Sequence, residues 1–167
     1  MIQQTQNPEF MAALAELYLK RRMNEEARAL IARARARFDD PARRFPEAIS
    51  GHAADFYLGI GEDPARGVAL LRRNYKLRPN VKAAQAFAAA LIDTGAIAEA
   101  KPLVKRCLES PVEFAEKYWA AARLASAQGQ RVQALQHRDR ALKLNPRIAE
   151  FEGPLELKPQ GASTRIP

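Results

Sequence analysis

Cysteine, histidine and long apolar runs are scarce in this chain. Its 167 residues include one cysteine and two histidines. A single cysteine excludes a disulfide framework and a multi-cysteine metal site. The longest apolar run, residues 86–92, is far shorter than the ~20 residues that cross a bilayer. The opening MIQQTQNPEF lacks the basic start and apolar stretch of a signal peptide. These absences predict a protein without disulfides or a membrane span, most simply a cytoplasmic one.

Signatures of catalysis are also missing. His52 and His137 lie far apart in the chain, and neither has the carboxylate and second histidine that a helical metal site needs. There is no phosphate-binding glycine loop and no serine in a nucleophile elbow. Burial explains Cys107 better than nucleophilic use does. The sequence therefore predicts a protein that is not an enzyme and needs neither metal nor cofactor.

Alanine is abundant, with 33 residues. Because alanine is the best helix former and alternating apolar segments are rare, the composition predicts an all-α fold. Asn7-Pro8, Asp63-Pro64 and Ser110-Pro111 each have a capping side chain followed by proline, which is typical of a helix start. The predicted helices cover residues 8–22, 24–38, 45–60, 64–78, 81–94, 97–109, 113–128 and 131–144.

A repeat of 34 residues runs through the chain. Gly61, Gly95 and Gly129 are spaced by this interval, and so are Ala54, Ala88 and Ala122. A helix–turn–helix unit of 34 residues is the signature of the tetratricopeptide repeat. The last unit carries the pattern as Tyr118, Ala121, Ala122, Ala125, Gly129, Ala134 and Pro146. Residues 8–146 resemble the tetratricopeptide repeat family, as four repeats at about 8–41, 45–79, 81–111 and 113–146.

This resemblance implies a right-handed superhelical α-solenoid that forms one domain over residues 8–148. Residues 1–7 are a lead, and residues 149–167 are a C-terminal segment in which Phe151, Leu155 and Leu157 are expected to cap the last repeat. From Lys158 onward we expect a disordered tail. The stretch DDPARRF at 39–45 is expected to be a long loop, and Pro102 to bend or delay the sixth helix.

The resemblance also implies a function, because the first helices of such repeats line a concave groove. The predicted role is a protein–protein interaction scaffold that binds a peptide or helix of a partner protein. The predicted groove residues are Glu16, Lys20, Asp55, Lys82, Gln85, Trp119 and Arg123. Trp119 is the strongest candidate, since tryptophan and arginine often dominate binding energy. Alternatively, Trp119 packs on the C-terminal segment, and both hold if a partner displaces that segment.

The net charge of +8 suggests a second function. The first helices hold six basic and seven acidic residues, whereas the second helices hold 16 basic and five acidic ones. The basic excess therefore falls on the outer, convex side, where nucleic acid or an anionic surface would meet Arg33, Arg37, Arg72, Arg73 and Arg138. Nucleic acid is the less favoured partner, because Tyr75 is the only clear aromatic residue among these helices. A secretion-type chaperone and a homo-oligomer are further alternatives.

Overall fold

The computed structural model describes residues 6–44 and 46–157, with side chains at 6–39 and 50–157. In this part of the chain all regular structure is helical, without strands, which confirms the all-α prediction. The helices there are α1 (Pro8–Lys20), α2 (Asn24–Arg44), α3 (Pro46–Leu58), α4 (Pro64–Leu77), α5 (Val81–Asp93), α6 (Ile97–Glu109), α7 (Ala115–Ala127), α8 (Arg131–Leu144) and α9 (Ile148–Glu152). The predicted tail after Leu157, and the lead before residue 6, lie outside the described residues.

The helices pack as neighbours in pairs: α1 with α2, α3 with α4, α5 with α6, and α7 with α8. The chain divides into two compact units at the bond between Arg78 and Pro79. We call them unit 1, which contains α1 to α4, and unit 2, which contains α5 to α9. Ala54, Ala88 and Ala122, the small residues of the repeat, have no solvent exposure at all.

Two of the three predicted helix starts are confirmed. The Asn7 side chain accepts a hydrogen bond from the Glu9 amide at 2.9 Å, and Asp63 accepts one from the Arg66 amide at 3.1 Å. The third prediction is wrong, because Ser110 ends α6 and α7 begins only at Ala115. The hydroxyl of Ser110 accepts instead from the amide of Val112 at 3.3 Å, within the loop between the two helices.

Three turns use a left-handed residue at the place where a first helix ends. Gly95 and Gly129 have φ of +78° and +74°, and Arg22 adopts φ of +59° in the turn after α1. The turn after α3 differs, because Glu62 takes the positive φ of +50°. Gly61 serves close packing there: an added Cβ would lie 2.8 Å from the ring of Phe56.

The predicted loop at 39–45 is wrong, because α2 continues through it to Arg44. The carboxylate of Asp39, at the start of this stretch, accepts a hydrogen bond from the Tyr57 hydroxyl and pairs with Arg66. Pro102 does not delay α6, which begins at Ile97 and continues through the proline to Glu109.

Each unit has a buried apolar core built from both helices of its pairs. In unit 1 the core residues are Met11, Ala15, Ala27, Leu30, Ala34, Phe38, Ala53, Phe56 and Tyr57. In unit 2, Phe87, Leu91, Val104 and Cys107 are buried, as the repeat pattern predicts. Burial also raises the pKa of the Cys107 thiol. The thiol is therefore protonated at neutral pH and behaves as a small apolar side chain.

Candidate functional site

One face of α7 meets the C-terminal segment of the chain. Trp119, Arg123 and Ser126 lie four and then three residues apart, a spacing that aligns them along one side of a helix. The chain leaves α9 at Gly153, whose φ of +76° turns it away from the helix. Residues 153–157, which we call the strap, have no helical structure. The strap accepts hydrogen bonds from Trp119 and Ser126, and it lines the same cavity as Arg123.

Trp119 is a buried anchor beneath the strap. Its side chain is 3% exposed and packs with Ala115, Ala141 and Ile148. Its indole Nε1 donates a hydrogen bond to the carbonyl of Gly153 at 3.2 Å. Of the two interpretations of Trp119, packing on the C-terminal segment is therefore the one found here.

Two further residues of the strap are fixed on α7. The hydroxyl of Ser126 donates a hydrogen bond to the carbonyl of Glu156. Leu155 packs against the apolar cluster around Trp119. Leu157 is half-buried, whereas Phe151 is 71% exposed, so the expectation that Phe151 covers the last helices is wrong.

Arg123 supplies the positive charge of the site. Its guanidinium pairs with the carboxylate of Asp93 on α5. Burial lowers the pKa of Arg123, and the nearby carboxylates of Glu152 and Glu156 oppose that effect. An open cavity of about 660 Å³ lies beside the strap. Ile92 and Asp93 of α5, Arg123 of α7 and the residues of the strap line this cavity.

The predicted residues of α5 lie near the start of α7. Lys82 is exposed, with its Nζ 3.5 Å from Oε2 of Glu116 and 3.9 Å from the centre of the Phe114 ring. Gln85 is buried. Lys82 therefore connects α5 to the beginning of α7, whereas Gln85 belongs to the interior of unit 2.

The other predicted groove residues belong to unit 1. Glu16 and Asp55 line a cavity of about 320 Å³ formed by α1 and α3, together with Phe38 of α2. His52 lines the same cavity, and its Nδ1 lies 2.8 Å from Oε1 of Glu9. Loss of solvent raises the pKa of Asp55. Lys20 is exposed near the end of α1 and does not line this cavity.

The sequence analysis missed Lys117, which is fully buried in unit 2. Its Nζ donates to the carbonyls of Ser110 and Val112, at 3.0 and 2.8 Å, and lies 2.9 Å from Oε1 of Glu113. The signal in the sequence is weak: a glutamate four residues before a lysine usually marks an exposed helical ion pair. Here the pair fixes the loop that leads into α7.

Glu113 accepts hydrogen bonds from three side chains. Besides Lys117, they are the hydroxyl of Tyr118 at 2.9 Å and the guanidinium of Arg140 at 3.0 Å. Lys117 contributes most to lowering the pKa of Glu113 to about 2. His137 is half-buried, with its ring centre 6.4 Å from that of Tyr118.

The basic residues of the second helices have mixed surroundings. Arg33, Arg37, Arg72 and Arg73 are exposed, and Arg138 pairs with its neighbour Asp139 at 2.7 Å. Several others bind within their own unit: Arg66 pairs with Asp39, Arg106 donates to the carbonyl of Pro79, and Arg140 pairs with Glu113. Part of the positive charge on these helices thus holds the fold together.

Within the side chains described, those of residues 6–39 and 50–157, no group of three or more His, Cys, Asp and Glu is arranged to hold a metal ion. No helix within residues 6–44 and 46–157 has the length and apolar content required to span a membrane. No protein-family model matches the chain, and no curated protein sequence matches it either.

Proposed function

We propose that this chain is a non-enzymatic interaction scaffold of the tetratricopeptide repeat type, and that it binds an extended peptide of a partner protein on the first-helix side of unit 2. We further propose that its helix pairs form a right-handed solenoid, as the 34-residue period suggests. The observation that carries the functional proposal is the non-helical strap on α7. Two side chains of α7 donate hydrogen bonds to backbone carbonyls of the strap.

The spacing of these two donors favours an extended ligand. Trp119 and Ser126 are seven residues apart on α7, which corresponds to about 10.5 Å along the helix axis. Three residues of extended chain, the separation of Gly153 and Glu156, span about 10 Å. An extended peptide running parallel to α7 therefore keeps register with both donors. In a helical ligand most backbone carbonyls already accept a hydrogen bond within the helix, and residues three apart rise only about 4.5 Å along its axis, so it would not match this spacing.

The test is selection of peptides from a random library displayed on phage, with the full chain as bait. We expect enriched peptides to bind at least ten times more weakly to the variant Arg123→Glu, because it reverses the charge beside the strap. Arg138→Glu is the matched control, since Arg138 lies on α8 and pairs with Asp139. Trp119→Ala is a poor probe, because truncating a buried aromatic residue costs about 3–5 kcal/mol in stability.

Two results would contradict this proposal. One is the absence of any enriched peptide with a folded bait. The other is enriched peptides that bind Arg123→Glu and the parent chain equally well. Binding of RNA that falls steeply with salt and with the loss of Arg72 and Arg73 would support the alternative function of the basic second helices.

A further inference from the structure

We infer that the strap is a resident ligand of the α7 site, and that the partner peptide which replaces it has the same chemistry: an extended segment with a leucine next to acidic residues. This inference rests on the proposed peptide-binding function. The occupant to which it commits is a segment of another protein.

The first step is the way the strap is held. Trp119 and Ser126 both bind backbone carbonyls of the strap, at Gly153 and Glu156. Such contacts are independent of the side chains that the bound segment carries. Any extended segment that also satisfies the apolar and charged parts of the site can therefore take the same place.

The second step is the apolar contact. Leu155 is the strap residue that packs against the cluster of Trp119, Ala141 and Ile148. It lies between the two carbonyls that accept hydrogen bonds from α7. A competing peptide thus requires a leucine or a residue of similar shape at the corresponding position, because the indole below it is rigid and already packed on its other sides.

The third step is charge. Glu152 and Glu156 lie at the two ends of the contact and close enough to Arg123 to act on its pKa. If the strap leaves, Arg123 keeps Asp93 on α5 but loses the carboxylate of Glu156. In a partner peptide, acidic residues beside the leucine would again place negative charge near the Arg123 guanidinium. Lysine or arginine at these positions would instead be repelled by that partly buried guanidinium.

The fourth step is that the hold on the strap is limited. Pro154 and Glu156 are exposed, and Leu155 is only half-buried. The cavity of about 660 Å³ beside the strap gives an incoming chain room to bind before the strap has left completely. Exchange therefore requires no opening of the helical core.

The experiment uses a fluorescent peptide with the sequence EFEGPLEL, residues 150–157, titrated onto the full chain and followed by anisotropy. We expect weak binding to the parent chain, and binding at least ten times tighter to Leu155→Asp, because this variant releases its own strap. The double variant Leu155→Asp, Arg123→Glu should lose that gain. Leu144→Asp, which places the same change on an exposed leucine of α8, should behave like the parent chain.

Controls on the peptide and on folding complete the design. A peptide with aspartate in place of the leucine that corresponds to Leu155 should bind none of the variants. Circular dichroism must show that Leu155→Asp is folded; if it is not, Glu156→Lys takes its place, because Glu156 is exposed and its loss leaves no cavity.

The outcomes separate this inference from the proposed function. Equal binding to the parent chain and to Leu155→Asp would overturn the role of the strap and leave peptide binding intact. Failure of EFEGPLEL to bind Leu155→Asp, with Arg123-dependent library peptides still binding, would overturn the ligand class alone. A dimer that forms with rising concentration and disappears in Leu155→Asp would overturn the choice of occupant, because a second copy would then supply the strap.

Discussion

Lys117 binds the loop that precedes α7. Its ammonium group is fully buried and satisfied by two carbonyls and one carboxylate. Those two carbonyls belong to the loop that follows α6, so the loop wraps around the lysine before α7 begins. Ser110-Pro111 looks like a helix start in sequence, but in the structure a buried charge five to seven residues further along binds the carbonyls of Ser110 and Val112, and α7 begins only at Ala115.

We predict that Lys117→Met destabilises the protein by about 1–3 kcal/mol, because it leaves the carbonyls of Ser110 and Val112 without the ammonium group that donates hydrogen bonds to them. The free energy of unfolding in urea measures the effect. Lys105→Met is the matched control, because the exposed pair of Lys105 with Glu109 is expected to contribute less than about 1 kcal/mol. Similar losses for both variants would show that Lys117 has no special structural role.

The second prediction at the residue scale concerns the pH dependence of Glu113. Its pKa in the folded chain is about 2, below its ordinary value of 4.5, so the ionised form stabilises the native state. This stabilisation is complete above pH 4.5 and is lost as the pH falls toward 2. Thermal unfolding of Glu113→Gln and the parent chain should therefore differ at pH 7 and converge near pH 2. A difference that is constant over this range would refute the assignment.

At the scale of the elements, the turns that end α1, α5 and α7 share a left-handed residue. Two of these residues are the glycines Gly95 and Gly129, which the 34-residue spacing reveals. The third is Arg22, which adopts the same left-handed conformation although it is not a glycine. Gly61 has the same spacing but a different function, because contact with Phe56, not backbone conformation, excludes a side chain there. Sequence spacing reveals that a turn recurs but not which property of glycine the turn uses.

We predict that Gly95→Ala lowers the free energy of unfolding by about 1–2 kcal/mol, because a Cβ is strained at φ of +78° although the space around it is open. Arg22→Gly should raise stability by up to about 1 kcal/mol for the same reason. Gly51→Ala in α3 is the control, and it should raise the free energy of unfolding. An added Cβ at Gly51 meets only Asn74 at 4.0 Å, and alanine favours a helix. A stabilising Gly95→Ala would contradict the backbone argument.

The elements also show where prediction from sequence works. Helix starts at Asn7 and Asp63 were predictable because each cap uses a side chain and an amide only two or three residues apart. The extension of α2 to Arg44 was not predictable: Asp39, at the start of the stretch predicted as a loop, contacts Tyr57 and Arg66 of other helices, and no local pattern indicates these contacts. The site divides in the same way: local periodicity places Trp119 and Arg123 on one helix face, but no local pattern predicts that the strap covers them.

At the scale of the whole molecule, the chain is organised as two compact units with separate cores. Leu71 and Leu91 are both buried and belong to unit 1 and unit 2, respectively. Truncating a buried leucine costs about 2–5 kcal/mol. In a chain built from neighbouring helix pairs, most of that cost should remain in the unit that carries the change.

We predict that Leu71→Ala speeds amide hydrogen exchange mainly in α1 to α4, and that Leu91→Ala does so mainly in α5 to α8. Native-state exchange followed by mass spectrometry measures both, and each variant is the control for the other. Uniform acceleration across all helices in either variant would show that the chain unfolds as a single cooperative body.

The strap has one more consequence, which comes from its covalent attachment through Gly153. A short tether gives an attached segment an effective concentration on the order of millimolar at its own site. The strap therefore needs only a weak intrinsic affinity to remain bound most of the time, and a free peptide must compete with that local excess. Inserting flexible residues between Glu152 and Gly153 would lower the effective concentration of the strap, and with it the threshold that a partner has to exceed, while the strap keeps Gly153 and its carbonyl.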